Sequence, residues 1–324
     1  MKYDSEVLVS VIIPNYNHAR FLRQRLESVL KQTIRQFEVI ILDDCSTDDS
    51  RIVIESFRGH EKISHIIFGE KNSGSPFLQW NKGIQLAKGN WIWIAESDDW
   101  CEPIFLNELT SKIKDDVSLA FCQTVVINQE EKKIWQTKWR KSEEEFDGDV
   151  FIKDFLSKGN YIVNASMCIF QKKIYQQISG TFTKFKFIGD WVLWLELAAL
   201  GKVVVSGKQL NYFRKHDRDV SGKAFTEGLG YYEVFSFLDG LDVNKLIQKK
   251  ERMELYTLRF FEFLNDKKVD KKHRDDIYSL FRKRLGSRMI YLQFKNWVVK
   301  KIKTPILGKR KAKMRLSENF SSAE

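Results

Sequence analysis

The sequence predicts an α/β fold with a mostly parallel sheet, plus a C-terminal helical region. Two observations carry that expectation. Apolar runs at 7–13, 37–44, 62–70 and 91–95 alternate with segments of helical periodicity. Uninterrupted apolar strands belong to sheets covered on both faces, and strand–helix alternation belongs to parallel pairing. Beyond residue 226 the pattern is helical.

The elements follow in order. VLVSVII (7–13) is a buried strand, and the polar turn PNYNHAR leads into FLRQRLESVLKQT (21–33). There Phe21, Leu22, Leu26, Val29 and Leu30 share one helical stripe. FEVIILDD (37–44) is the second strand, and STDDSRIVIESF opens with good helix N-cap chemistry. KISHIIFGE (62–70) is the third strand, SPFLQWNKGIQLAKG a helix closed by Gly89, and WIWIA (91–95) the fourth strand. Residues 103–114 read as helix, 118–128 as strand, 129–149 as a charged loop and 150–158 as a short helix. NASMCIFQKKIY (164–175) is a strand running into a helix. DWVLWLELAAL (190–200) is a strongly apolar helix, and VVVSG and QLNYFRKH are two short strands. A boundary is placed near 225, with 226–324 a helical region ending in a basic tail.

Composition narrows the classes. The 324 residues are 43% hydrophobic and 30% charged, enough for a full core. Four scattered cysteines without a CxxC pair argue against a zinc site or a disulfide framework and suit a reducing cytoplasm. The N-terminus does not read as a signal peptide, and no run reaches the roughly 20 apolar residues of a membrane span. Charge is uneven. Residues 1–200 hold 25 Lys/Arg against 28 Asp/Glu, whereas 201–324 hold 29 against 15.

In a parallel α/β sheet, ligands bind beyond the carboxyl ends of the strands. Three strand ends carry polar clusters, PNYN (14–17), DDCSTDD (43–49) and ESDD (96–99), which would emerge on one edge. Asp43, Asp44, Glu96, Asp98 and Asp99 would then share a cleft. Carboxylates that close repel unless compensated, and a hard divalent cation, Mg²⁺ or Mn²⁺, is one solution when it also binds substrate phosphates. The other is ordinary helix N-capping, by Asp98 or Asp99 ahead of Pro103 and by Asp43 or Asp44 ahead of Ser46.

The order and spacing of PNYN, LDDCSTD, N-x-G, N-x-G-x-x-x-A-x-G and the acidic fourth-strand end resemble the family 2 glycosyltransferases. The resemblance covers residues 7 to about 220 and is densest in the first 100. It implies a GT-A type nucleotide-binding sandwich over 1–225, with a nucleotide-sugar half (1–115) and an acceptor half (116–225). It also implies inverting transfer from a nucleoside-diphosphate sugar, UDP-linked, to a hydroxyl of a saccharide or lipid-linked saccharide in surface polysaccharide synthesis. No covalent intermediate on the protein is expected.

The resemblance assigns Pro14, Tyr16, Asp43, Asp44, Asn81, Glu96, Asp98 and His216 to the nucleotide sugar. Tyr16 would stack on the base, Asp44 would accept from it and Asp43 would shape the pocket. Asp98 matches the last acid of the family's D-x-D and would hold the metal with His216. Glu96 stands where the family has the first Asp. Asp190 matches the family's base, and Gly189 stands where the family usually has Glu. The departures at Glu96 and Gly189 leave a second reading, a catalytically inactive relative acting as a nucleotide-sugar or membrane-binding subunit.

Residues 295–315 carry nine Lys/Arg and no acid, interleaved with Trp297, Val298, Val299, Ile302, Ile306 and Leu307. That suits a segment lying on an anionic membrane, on the inner face of the cell membrane; a solvated basic tail is the alternative. No nucleic-acid partner is expected, since no recognised module accompanies the charge. A dinucleotide fingerprint and a P-loop are both missing from the sequence, which disfavours an oxidoreductase or NTPase.

Overall fold

A computed structural model describes residues 8–216, 227–240, 243 and 246–303. The chain forms two compact units, residues 1–151 with 160–216, and residues 152–159 with 217–324.

In the first unit the chain begins as the sequence predicts. Strand β1 (Val9–Asn15) leads to α1 (Ala19–Leu30), β2 (Phe37–Asp43), α2 (Ser50–Glu55), β3 (Ile63–Phe68), α3 (Pro76–Leu86) and β4 (Trp91–Ile94). The order β3-β2-β1-β4 is parallel throughout, with Asn15 beside Asp43 and Ile12 beside Ile94. β1, β2 and β4 are buried along their whole length, as two-sided coverage requires. Helix α3 lies so close to β1 that a Cβ on Gly83 would sit 2.4 Å from the Ile12 side chain. The glycine of N-K-G is therefore a close-approach residue.

The chain continues through β5 (Trp100–Cys101), α4 (Phe105–Thr110), β6 (Val117–Ile127), β7 (Lys133–Gln136), β8 (Glu143–Phe146) and α5 (Gly148–Phe151). After residue 160 come β9 (Cys168–Gln171), α6 (Lys172–Tyr175), α7 (Gly189–Ala198) and β10 (Lys202–Arg214). β9 runs antiparallel between β4 and β6 and so joins the two halves of one sheet. β6 and β10 are parallel, and β5 closes the edge antiparallel to β10.

Two expectations change here. The stretch 129–149 contains strands β7 and β8 rather than loop alone. The β8 sequence, EEEF, lacks strand periodicity. It is held at the edge by Lys114, 3.0 Å from Glu145, and Lys202, 3.1 Å from Glu145. The two short strands read at VVVSG and QLNYFRKH are one strand, β10, interrupted by register shifts between Val205 and Gln209. Gly207 sits at that irregularity, where a Cβ would lie 2.2 Å from Lys141 O.

Helix α7 buries Trp191 through Ala198 without a polar stripe, and Trp191 and Trp194 are core residues. Trp93 is also fully buried; its indole donates to Ser166 O at 2.9 Å and stacks on Phe105.

In the second unit, α8 (Leu229–Asp239), α9 (Lys249–Asn265), α10 (Lys271–Leu285) and α11 (Arg288–Lys303) follow one another. Phe235, Phe260 and Phe263 gather around Phe281, with ring centroids 4.8–5.5 Å from it. An Arg284–Asp239 ion pair lies beside this cluster. Among the described residues no helix is long and apolar enough to cross a membrane.

Candidate functional site

The carboxyl ends of β1 and β2 are stitched together by asparagines. Asn15 donates to Asp43 at 2.7 Å. Asn17, in a left-handed conformation (φ 57°), accepts from Thr47 N at 2.7 Å. Both asparagines turn toward the β2 loop, and Tyr16 between them is 45% exposed. Pro14 lies buried inside β1, opposite Leu42.

Asp43 is buried and also accepts from Ser46 Oγ (2.6 Å) and Ser46 N (3.0 Å). Asp44 is buried and takes Ser73 N, Ser73 Oγ (2.7 Å) and Gln79 Nε2 (2.6 Å). The N-capping alternative fails for this pair. Helix α2 starts at Ser50, and the acid serving its start is Asp48, which accepts from Ser50 N at 3.0 Å. Asn81 accepts from Tyr175 OH at 2.9 Å.

The end of β4 gives each of its three acids a different setting. Glu96 accepts from the Trp80 indole at 2.8 Å, and burial with the charges of Asp98 and Asp99 pushes its carboxyl up to about 8. Asp99 is fully buried. It accepts from Ser166 Oγ (2.7 Å), Asn164 Nδ2 (2.9 Å) and Arg214 N (2.9 Å), with Arg25 at 3.7 Å. Burial and neighbouring Asp98 push it up. Asp98 meets His216 Nε2 at 3.0 Å. Burial would raise Asp98, but the His216 hydrogen bond and the charges of His18 and His216 prevail and hold it at about 2. Strand β5, not a helix, follows these acids, so neither Asp98 nor Asp99 is an N-cap.

Two buried arginines make this acid density possible. Arg25 Nε donates to Glu96 O at 2.8 Å, and Arg214 Nε donates to Asp98 O at 2.9 Å. No sequence motif marks either as a site residue; Arg214 is 2% exposed and braces the β4–β5 turn. His18 was also missed. Its Nδ1 lies 2.8 Å from Ser97 Oγ, and its ring stands edge-on to His216 with centroids 5.2 Å apart. One ligand atom from each of His18, Asp98 and His216 falls within 4.8 Å of the others. Two imidazoles and a carboxylate form a donor set that fits a divalent cation.

Asp190 stands in the first turn of α7. Its Oδ2 accepts from Asn160 at 2.8 Å and its Oδ1 from Trp191 N at 2.7 Å, while burial pushes it up to about 6. Helix α3 connects it to the acids. A Cβ on Gly189 would lie 2.5 Å from the Phe77 ring, Phe77 packs edge-on against Trp80 at 4.9 Å, and Trp80 reaches Glu96. No side chain fits at 189 while Phe77 holds that place, which accounts for the glycine. Asn160, Asn164 and Ser166 tie the 160–166 segment to Asp190 and Asp99, and no sequence signal marks them.

A family model described as glycosyl transferase family 2 matches residues 10–179. The chain is 37% identical over 92 residues to the putative teichuronic acid biosynthesis glycosyltransferase TuaG of Bacillus subtilis (strain 168). That match spans 28% of this chain and 36% of the relative, so the chain covers about a third of the relative's length. The structure of S. aureus TarS 1–349 in complex with UDP-GlcNAc aligns with TM-score 0.54 at 21% identity, over 86% of this chain and 73% of that one. The mannosyltransferase PcManGT of Pyrobaculum calidifontis, in complex with GDP-Man and Mn²⁺, aligns with TM-score 0.52 at 12% identity, over 93% and 76%. At such identities the likeness is one of fold, the GT-A fold.

Proposed function

The chain belongs to glycosyl transferase family 2, and from that premise we propose that it is an inverting, metal-dependent glycosyltransferase. It moves a sugar from a nucleoside-diphosphate sugar, UDP-linked, to a hydroxyl of a saccharide or lipid-linked saccharide in surface polysaccharide synthesis. One observation carries this reading: Asp98 and His216 meet at the end of β4, while a second carboxylate, Asp190, is linked through α3 to the same strand end.

Tyr16 offers an exposed ring to the base, and base–aromatic stacking is worth roughly 1–3 kcal/mol. Asp43 and Asp44 shape the wall behind it. Asp98 and His216 would hold the divalent ion, Mg²⁺ or Mn²⁺, whose chemistry is Lewis-acid stabilisation of the departing diphosphate. Asp190 takes the proton of the acceptor hydroxyl as its oxygen bonds to the anomeric carbon and the bond to the diphosphate breaks. Asn160 and Trp191 N orient that carboxylate. Its raised pKa makes it a better base than an ordinary aspartate and still leaves it ionised at neutral pH. The inactive-subunit reading keeps both departures, Glu96 and Gly189, with Phe77 filling the space that a side chain at 189 would need.

Membrane attachment is the second part of the proposal. On α11, Ile290, Phe294 and Trp297 follow helical spacing, are 72%, 61% and 52% exposed, and have Tyr291 beside them. The basic run 295–315 begins on this helix; its residues 304–315 lie outside the described residues. An apolar aromatic stripe next to Lys/Arg is the pattern of a helix lying in an anionic interface.

The decisive experiment measures sugar transfer and UDP binding by the Asp190→Asn variant. Transfer should fall by about 10²–10⁴-fold with UDP binding retained. Near wild-type transfer would remove Asp190 from the mechanism. A thermal-shift panel of nucleotide sugars with Mn²⁺ identifies the donor.

A further inference from the structure

Resting on the metal-dependent reading above, we propose that His18 is a third protein ligand of the divalent ion, and that the set His18–Asp98–His216 selects Mn²⁺ over Mg²⁺. The position of His18 is unusual for a helix start. It is the N-cap residue of α1, a place that favours Ser, Thr, Asp or Asn because their side chains accept from the first amides. The His18 side chain makes no such capping bond. The task is taken by Asp48, whose Oδ2 accepts from Ala19 N at 2.9 Å. Helix initiation therefore does not explain the imidazole.

The ring is instead turned to the β4 end. Ser97, immediately before Asp98, holds Nδ1 at 2.8 Å. Metal-ligating imidazoles almost always keep one ring nitrogen on a protein partner in this way. Phe21, one turn into α1, stacks on His216 at 5.3 Å, so a single helical turn sets both rings against Asp98. The consequence for ion choice follows from ligand chemistry. Mg²⁺ prefers oxygen ligands and binds few protein groups, whereas imidazole donors favour transition-metal ions. Two imidazoles beside one carboxylate therefore penalise Mg²⁺ more than Mn²⁺, the transition-metal ion whose preference for oxygen lies nearest to that of Mg²⁺.

The test reads binding of the metal alone, without donor or acceptor. Free Mn²⁺ is titrated into the full chain by electron paramagnetic resonance, with Mg²⁺ as competitor, for wild type, His18→Gln and His216→Gln. His18→Gln should weaken Mn²⁺ binding by about tenfold or more and reduce the preference for Mn²⁺ over Mg²⁺. The ¹⁵N shifts of the imidazoles in wild-type chain titrated with Zn²⁺ give a second readout, with His18→Gln serving only to assign the signal. Two histidines should shift on ligation, one of them the residue whose signal disappears in His18→Gln. Unchanged Mn²⁺ affinity and ion preference in His18→Gln, or ligation shifts at His216 alone, would overturn the role of His18 and leave the Asp98–His216 reading standing. Failure of wild type to bind Mn²⁺, with or without UDP, would overturn both.

Discussion

Asp98 follows the interior strand β4 and Asp190 stands in the first turn of α7, and their surroundings separate them. Asp98 sits between imidazoles and stays ionised; Asp190 is half-buried among neutral donors, and loss of solvent pushes it up to about 6. With Asp190 in its proposed role as base, active only when deprotonated, activity should rise tenfold per pH unit below about 6 and level off above it, and a kcat/KM profile checks this. The Asp190→Asn variant should lose that limb together with its rate. Gly189 makes a prediction of the opposite kind. Restoring the family's acid as Gly189→Glu places a Cβ 2.5 Å from the Phe77 ring, so the variant should lose about 1–3 kcal/mol by denaturant titration and gain no activity. At this scale the sequence was a partial guide. Asp98 and His216 could be paired because each sits in a recognisable motif. His18, Arg25 and Asn160 could not be found this way, since a single histidine, a helix arginine and a loop asparagine acquire meaning only when distant segments meet.

The β4–β5 turn is the element on which the site depends. Arg25 from α1 and Arg214 from β10 both donate to its backbone carbonyls, and both lie within reach of Asp99 through a side chain or an amide. Removing one partner of a buried ion pair typically costs about 3–5 kcal/mol. Arg25→Met should therefore lower the unfolding free energy by that order and weaken Mn²⁺ binding as the turn loosens; calorimetry reads the first and metal titration the second. Helix α11 carries its own test. On vesicles containing phosphatidylserine, Phe294→Ser with Trp297→Ser should reduce co-sedimentation relative to wild type, and equal binding would end the membrane proposal. Strand boundaries were legible where burial was two-sided, as in β1, β2 and β4. They were not legible in β8, whose Glu143 and Glu145 pair with the sequence-distant Lys112, Lys114 and Lys202, or across β10, where an irregularity at Gly207 interrupts the pattern.

For the whole molecule the uneven charge is the informative quantity. The excess of Lys/Arg falls after residue 200, while the acids that define the site lie before it. Attachment through the basic part should weaken with salt as charges are screened beyond about 8 Å at physiological ionic strength, whereas UDP binding at the partly buried site should change less. Co-sedimentation and UDP titration at two salt concentrations compare them. The parallel half of the sheet was readable because each strand and helix carries its own periodicity. The antiparallel joint through β9 was not, because pairing between β4 and β6 is a long-range fact with no local signature.

Helix α3 offers Gln79 to Asp44, Trp80 to Glu96, Asn81 to Tyr175 and Phe77 to the first residue of α7. One rod thus sets the spacing among Asp44, the β4 strand end and the start of α7, the three stations of the proposed site. Redesign of sugar choice has little room there, since any alteration of the rod disturbs all three stations together. Variation has to come from the surrounding loops, which can be recut while the frame keeps its dimensions.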